Sequence, residues 1–160
     1  MLKNDGIITP EELAPVLPPP ARLEKGPVAI IECLQDIPCD PCVSACPTKA
    51  IKMKEGITDK PLLDFEACTG CGLCIAKCPG LAIFVINMKH TPGMATVSMS
   101  HELLPVPEKG QEVTALDRAG KVVGKVKVVR VINPPAYDRT AVVTVEVPAA
   151  QVNNIRAIRV

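Results

Sequence analysis

The chain has 160 residues, 48% of them hydrophobic and 22% charged, and a net charge of +1. A balance so near zero excludes a strong electrostatic footprint for nucleic acid, and the scarcity of aromatics (Phe65, Phe84 and Tyr137) leaves no stacking surface for single strands. No apolar run is as long as the ~18 residues that a membrane helix needs, so no membrane insertion is expected.

The first segment, residues 1–27, is rich in proline: Pro10, Pro15, Pro18, Pro19, Pro20 and Pro27. Thr9-Pro10 before Glu11-Glu12-Leu13 reads as an N-cap with proline at the first helical position. Pro18–Pro20 should be extended as polyproline II. Ile7, Ile8, Leu13, Val16, Leu17 and Leu23 are too many apolar residues for a good disordered tail. The reading is an arm that docks, as by wrapping a neighbouring subunit.

Next, Val28-Ala-Ile-Ile31 reads as a buried strand, and it leads into a cysteine series: Cys33, Cys39, Cys42 and Cys46, with Pro47 after the last. A second series follows at Cys68, Cys71, Cys74 and Cys78, with Pro79 after it. The second matches the iron–sulfur run C-x2-C-x2-C-x3-C-P. In such runs three thiolates bind one cubane, and the fourth turns away to a second cluster. Cys39 and Cys71, Cys42 and Cys74, and Cys46 and Cys78 all lie 32 residues apart, and Cys-Pro-Thr-Lys-Ala-Ile51 repeats as Cys-Pro-Gly-Leu-Ala-Ile83. The chain is internally duplicated. The first half departs by three extra residues in the Leu34–Pro38 loop, with Asp36 where a cysteine would fall. Short helices are expected near 43–46 and 75–78. Return strands should open at Ile51 and Ile83, and Leu62, Leu63 and Phe65 should match the strand before Cys33.

Disulfides are a poor account of these cysteines, because pairs two residues apart suit dense cross-linking badly and no signal peptide is seen. Two zinc sites are the better rival. Zinc, however, needs neither the third cysteine two residues on nor the proline. A Cys33 that is not a ligand, leaving a three-cysteine site, is a further alternative.

Residues 28–86 resemble the bacterial-type ferredoxins with two [4Fe–4S] clusters. The resemblance implies crossed ligation: Cys33, Cys39, Cys42 and Cys78 for cluster I, and Cys68, Cys71, Cys74 and Cys46 for cluster II. The stretch Ile31-Glu-Cys-Leu-Gln-Asp-Ile-Pro-Cys39 also resembles small iron–sulfur subunits that accompany FAD-dependent amine or amino-acid dehydrogenases. Gly70 and Gly72 let backbone amides approach cluster II, whereas Pro38 and Pro41 donate none. Cluster I is therefore expected to have fewer amide donors and a lower potential.

After residue 92 cysteines stop and valines take over. Met94–Ser100 alternates, with Ala95, Val97 and Met99 on one side. Glu112–Leu116 and Lys121–Val131 read as a hairpin around Asp117–Gly120. Lys125–Val128 and Thr144–Val147 alternate with period two. Pro134-Pro135 breaks the chain, and Ile155–Val160 reads as a last strand. His90 and His101 are isolated and read as structural.

The expected class is α+β: an arm (1–27), a duplicated two-[4Fe–4S] ferredoxin-like domain (28–90), and a small all-β barrel or sandwich (93–160). Residues 1–92 carry nine Lys/Arg against eleven Asp/Glu, and residues 93–160 nine against six. This asymmetry is either two solvated surfaces or electrostatic docking, between the halves or onto a partner. There is no G-x-G-x-x-G, no P-loop and no catalytic constellation. The functional expectation is electron transfer, not catalysis by the chain itself. The chain would relay electrons between a flavoprotein dehydrogenase subunit and an acceptor, with other redox proteins as partners. A free ferredoxin with an appended β-domain, or an iron–sulfur sensing module, are the alternatives. Oxygen-sensitive thiolate clusters imply a reducing compartment, the cytoplasm.

Overall fold

A computed structural model describes residues 1–160 throughout. The arm holds α1 (Leu2–Asp5), α2 (Pro10–Leu13), a 3-10 turn (Ala14–Val16) and α3 (Pro20–Leu23). Thr9 caps α2. Its hydroxyl accepts the Glu12 amide at 3.3 Å, and the Glu12 carboxylate accepts the Thr9 amide at 3.0 Å, a reciprocal capping box. Pro19 is extended, at φ −64 and ψ 152, but Pro20 opens α3 rather than continuing polyproline. Proline suits a first helical position, where its missing N–H would have had no partner. The arm docks on its own chain: Leu13 is buried, and Leu17 and Leu23 lie against the sheet core.

The strands are β1 (Val28–Ile31), β2 (Ile51–Lys52), β3 (Leu62–Leu63), β4 (Ile83–Thr91), β5 (Met94–His101), β6 (Glu112–Leu116), β7 (Val122–Ile132), β8 (Ala141–Pro148) and β9 (Ala157–Arg159). Between them lie helices α4 (Pro41–Ala45) and α5 (Leu73–Lys77). Both start two residues earlier than expected, because Pro41 is pre-set for the first helical turn and Gly72 takes the cap at φ +79.

The C-terminal strands, expected as a small barrel or sandwich, do not form a sheet of their own. Seven antiparallel strands form one sheet in the order β1-β4-β5-β8-β7-β6-β9, and β2 pairs only with β3. The cause is local. β4 runs on to Thr91, and Pro92-Gly93, with Gly93 at φ +77, returns the chain directly as β5. Val85 then pairs with Ser98 and Thr91 with Met94, so the hairpin that supports the cysteines is also the start of the C-terminal sheet.

Period-two alternation gives this sheet two apolar faces. Val28, Ile30, Phe84 and Ile86 point into one core with Val97, Met99, Val113, Val128, Val143 and Val145. Ala29, Ile31, Ile83 and Val85 point into a second core with Cys42, Cys74, Ile51 and Ile75. A buried residue of this size contributes roughly 1.5–3 kcal/mol. Strands β1 and β4 are stabilised from both faces, which is why they read as continuous apolar runs and not as alternating ones.

Candidate metal centre

The two cysteine turns have the same backbone. The amides of Cys46 and Cys78 each donate to the carbonyl three residues back, at 3.3 Å. Both cysteines end their helices at φ near −84 and ψ near 109. Three residues later Lys49 and Leu81 take left-handed φ values of 55 and 52, costly for residues with a Cβ. The reversal aims the next amide back at sulfur. Ala50 N–H donates to Cys46 Sγ at 3.3 Å, and Ala82 N–H donates to Cys78 Sγ at 3.5 Å. The repeated Cys-Pro-x-x-Ala is thus a thiolate-hydrogen-bonding turn, and the alanines were visible in the repeat.

The cysteines act on one another in two groups. Burial pushes the Cys42 thiol up to about 11, and charge at Cys78, Cys39 and Cys33 pushes the same way. Burial also raises Cys33, with Cys78 and Cys39 adding to it. In the other set burial pushes Cys74 up to about 12, reinforced by Cys71, Cys68 and Cys46. Cys46 is opposed by burial too, but hydrogen bonds from Thr48, Ala50 and Ile51 outweigh that and lower it. Thiols pushed up like those of Cys42 and Cys74 stay protonated unless a cation lies among them. No three Cys, His, Asp or Glu side chains converge closely enough to hold a single ion. The thiols instead border two separate volumes, one touching Cys33, Cys39 and Cys78, the other touching Cys46, Cys68, Cys71 and Cys74. A donor set of soft thiolates spread in this way fits an iron–sulfur cubane better than tetrahedral zinc.

Hydrogen bonds to sulfur are uneven. Cys68 Sγ accepts the Ala29 amide at 3.4 Å and Cys46 Sγ meets Thr48 Oγ1 at 3.5 Å, besides its Ala50 bond. Those three serve the second set; Ala82 alone serves the first. Cys71 is the exposed thiol of the eight.

Two charged clusters hold the site in place, and neither was singled out from the sequence. Arg22 of α3 is 5% exposed. Its Nε donates to Phe65 O at 2.6 Å and its Nη1 to Gly26 O at 3.2 Å. Its Nη2 donates to Pro27 O at 2.9 Å and Cys68 O at 2.7 Å. One guanidinium thus ties the arm to the loop carrying Cys68. Glu32, beside Cys33, is held by Arg118 Nε at 2.8 Å and Arg156 Nε at 2.7 Å. No local pattern marks these residues, since their partners lie on distant segments. His90 bonds Glu146 at 2.7 Å and His101 bonds Pro105 O at 3.2 Å, both away from the thiols.

Residues 37–82 match the family profile described as a 4Fe-4S dicluster domain. That span is a ferredoxin-like iron–sulfur domain. The chain is 41% identical over 59 residues to a ferredoxin-type protein, NapF, of Haemophilus influenzae, covering 36% of this chain and 34% of that one. It is 35% identical over 86 residues to the polyferredoxin-like subunit of an aliphatic sulfonate oxidoreductase of Pyrococcus furiosus, covering 49% and 43%. It is 44% identical over 57 residues to one subunit of the tetrathionate reductase of Archaeoglobus fulgidus, covering 35% and 26%. The chain thus spans less than half the length of these relatives. No solved structure matches it. No helix is long and apolar enough to cross a membrane.

Proposed function

We propose that this chain is an electron-transfer subunit with two [4Fe–4S] clusters. Cluster I is assigned to Cys33, Cys39, Cys42 and Cys78, and cluster II to Cys46, Cys68, Cys71 and Cys74. The observation that carries the reading is the crossing of the two sets: Cys78 lines one cavity with Cys33 and Cys39, and Cys46 lines another with Cys68, Cys71 and Cys74, each from the opposite half of the repeat. The domain unit is then a duplicated two-cluster fold with the C-terminal strands added to its sheet.

Each bound cluster takes up and releases one electron. The chain's own groups do the rest. Ala29, Ala50 and Ala82 direct N–H donors at thiolate sulfur, and Ile51, Ile75, Ile83 and Val85 exclude water around the thiols. Cys71, the exposed thiol, marks the edge nearest a partner. A flavoprotein dehydrogenase suits as donor, because two one-electron sites can together take both electrons of a reduced flavin while its protons pass to solvent. Relatives named as subunits of oxidoreductases support a docked role over a free ferredoxin.

The test is iron content and EPR of the anaerobically reconstituted chain. The wild type should bind about eight irons. Cys78→Ala should lose the signal that Cys39→Ala loses, and Cys46→Ala the signal that Cys71→Ala loses. If Cys78→Ala instead removed the cluster of Cys71 and Cys74, the crossed assignment would be wrong. A zinc-only protein would overturn the reading altogether.

A further inference from the structure

We propose that the buried array of Glu32, Arg118 and Arg156 sets the reduction potential of cluster I, which makes the C-terminal strands part of the electron carrier; this rests on the two-cluster reading above. Glu32 follows β1 and precedes Cys33. Arg118 lies in the turn between β6 and β7, and Arg156 just before β9. Side-chain exposure is 4% for Glu32, 3% for Arg156 and 15% for Arg118. All three line one cavity of about 630 Å³ together with Cys33, Cys39 and Cys78.

The geometry fixes the charges. Arg118 forks onto the carboxylate, Nε to Oε2 at 2.8 Å and Nη2 to Oε1 at 2.5 Å, while its Nη1 donates to Asn153 O at 2.7 Å. Arg156 Nε donates to the same Oε1 at 2.7 Å, and its Nη1 donates to Val152 O and Ile155 O at 2.8 and 2.7 Å. Arg156 also lies 4.8 Å from the centre of the Phe84 ring. Within the array two cations face one anion. Asp117, also on the cavity wall, is engaged by the amides of Ala119 and Lys121 in its own turn.

Stability gives little reason for such an array. Desolvation of buried ions consumes most of their attraction, and apolar residues of similar volume would serve as well. Its place beside a cluster ligand has a definite consequence. Reduction adds one negative charge to the cluster, and each fixed positive charge beside it favours that form. At an effective dielectric of ~20, one unit charge changes an equilibrium constant tenfold out to about 12 Å. The array therefore offsets the shortage of N–H donors around cluster I.

The experiment is an EPR-resolved anaerobic redox titration of the reconstituted full chain. Arg118→Gln should shift the reduction equilibrium of cluster I about tenfold toward the oxidised form, or 59 mV for one electron. Arg118→Lys keeps the charge and should stay near wild type. Glu32→Gln should shift cluster I the opposite way, and cluster II should move less in every variant. Shifts of the same sign in Arg118→Gln and Glu32→Gln would reveal mere loosening and overturn the proposal. So would equal behaviour of the Gln and Lys variants, no shift, or loss of iron uptake in both charge variants. A wild type that binds no iron would instead sink the two-cluster reading, whereas two intact clusters without these shifts would sink only this inference.

Discussion

Replacing Gly70 by alanine should damage the cluster II loop far more than the same change at Gly72, although both glycines have positive φ. At Gly72, φ +79, a new Cβ would meet only Ile75 Cδ1 at 3.6 Å, an ordinary contact. The cost there is the left-handed backbone alone, about 1–2 kcal/mol. At Gly70, φ +67, the Cβ would lie 2.6 Å from the carbonyl carbon, carbonyl oxygen and Cβ of Pro27. Pro27 cannot retreat easily, since its carbonyl is held by Arg22 Nη2 at 2.9 Å and the next residue opens β1. Overpacking adds about 1–3 kcal/mol to the backbone term. Since 1.4 kcal/mol is a factor of ten, Gly70→Ala should release its clusters roughly tenfold faster than Gly72→Ala. The assay is anaerobic loss of the cluster absorbance at fixed temperature in denaturant. Equal rates for the two variants would refute the contact between Gly70 and Pro27 as the cause.

Three further outcomes follow from the same geometry. Arg22→Met strips donors from four carbonyls, at about 1–3 kcal/mol for each one left buried without a partner, with iron content falling at cluster II; Arg22→Lys should recover only part, because lysine lacks the planar fork. Full recovery with lysine, measured by iron stoichiometry, would count against the fork. Thr9→Ala removes one half of the capping box and should cost about 1 kcal/mol, seen as faster amide exchange in residues 9–14 with iron content unchanged. Iron removal by a chelator should expose residues 33–82 to exchange while β5 and β8 stay protected, because their core draws on Val97, Met99, Val143 and Val145 rather than on cysteines. Simultaneous loss of protection in both regions would contradict that division.

The sequence alone determined the thiol chemistry, the 32-residue repeat and the strands. Ligand spacing is local, and so is alternation: Ala95, Val97 and Met99 are buried as their period requires. The Thr9 cap was legible for the same reason, with donor and acceptor three residues apart. The join between the two halves was not legible. A fall in cysteine and a rise in valine after residue 92 look like a domain boundary, yet the hairpin of β4 and β5 spans it, with Thr91 paired to Met94. Composition reports what a residue is made of, whereas strand pairing depends on which edges meet. Nor could the sequence place Arg22, Glu32, Arg118 and Arg156. Their partners lie 43, 86 and 124 positions away, and no local pattern encodes a contact over that distance. The tertiary structure therefore decided how the cysteine half is held and charged, because only the folded chain brings the turns at Arg118 and Arg156 to the carboxylate beside Cys33.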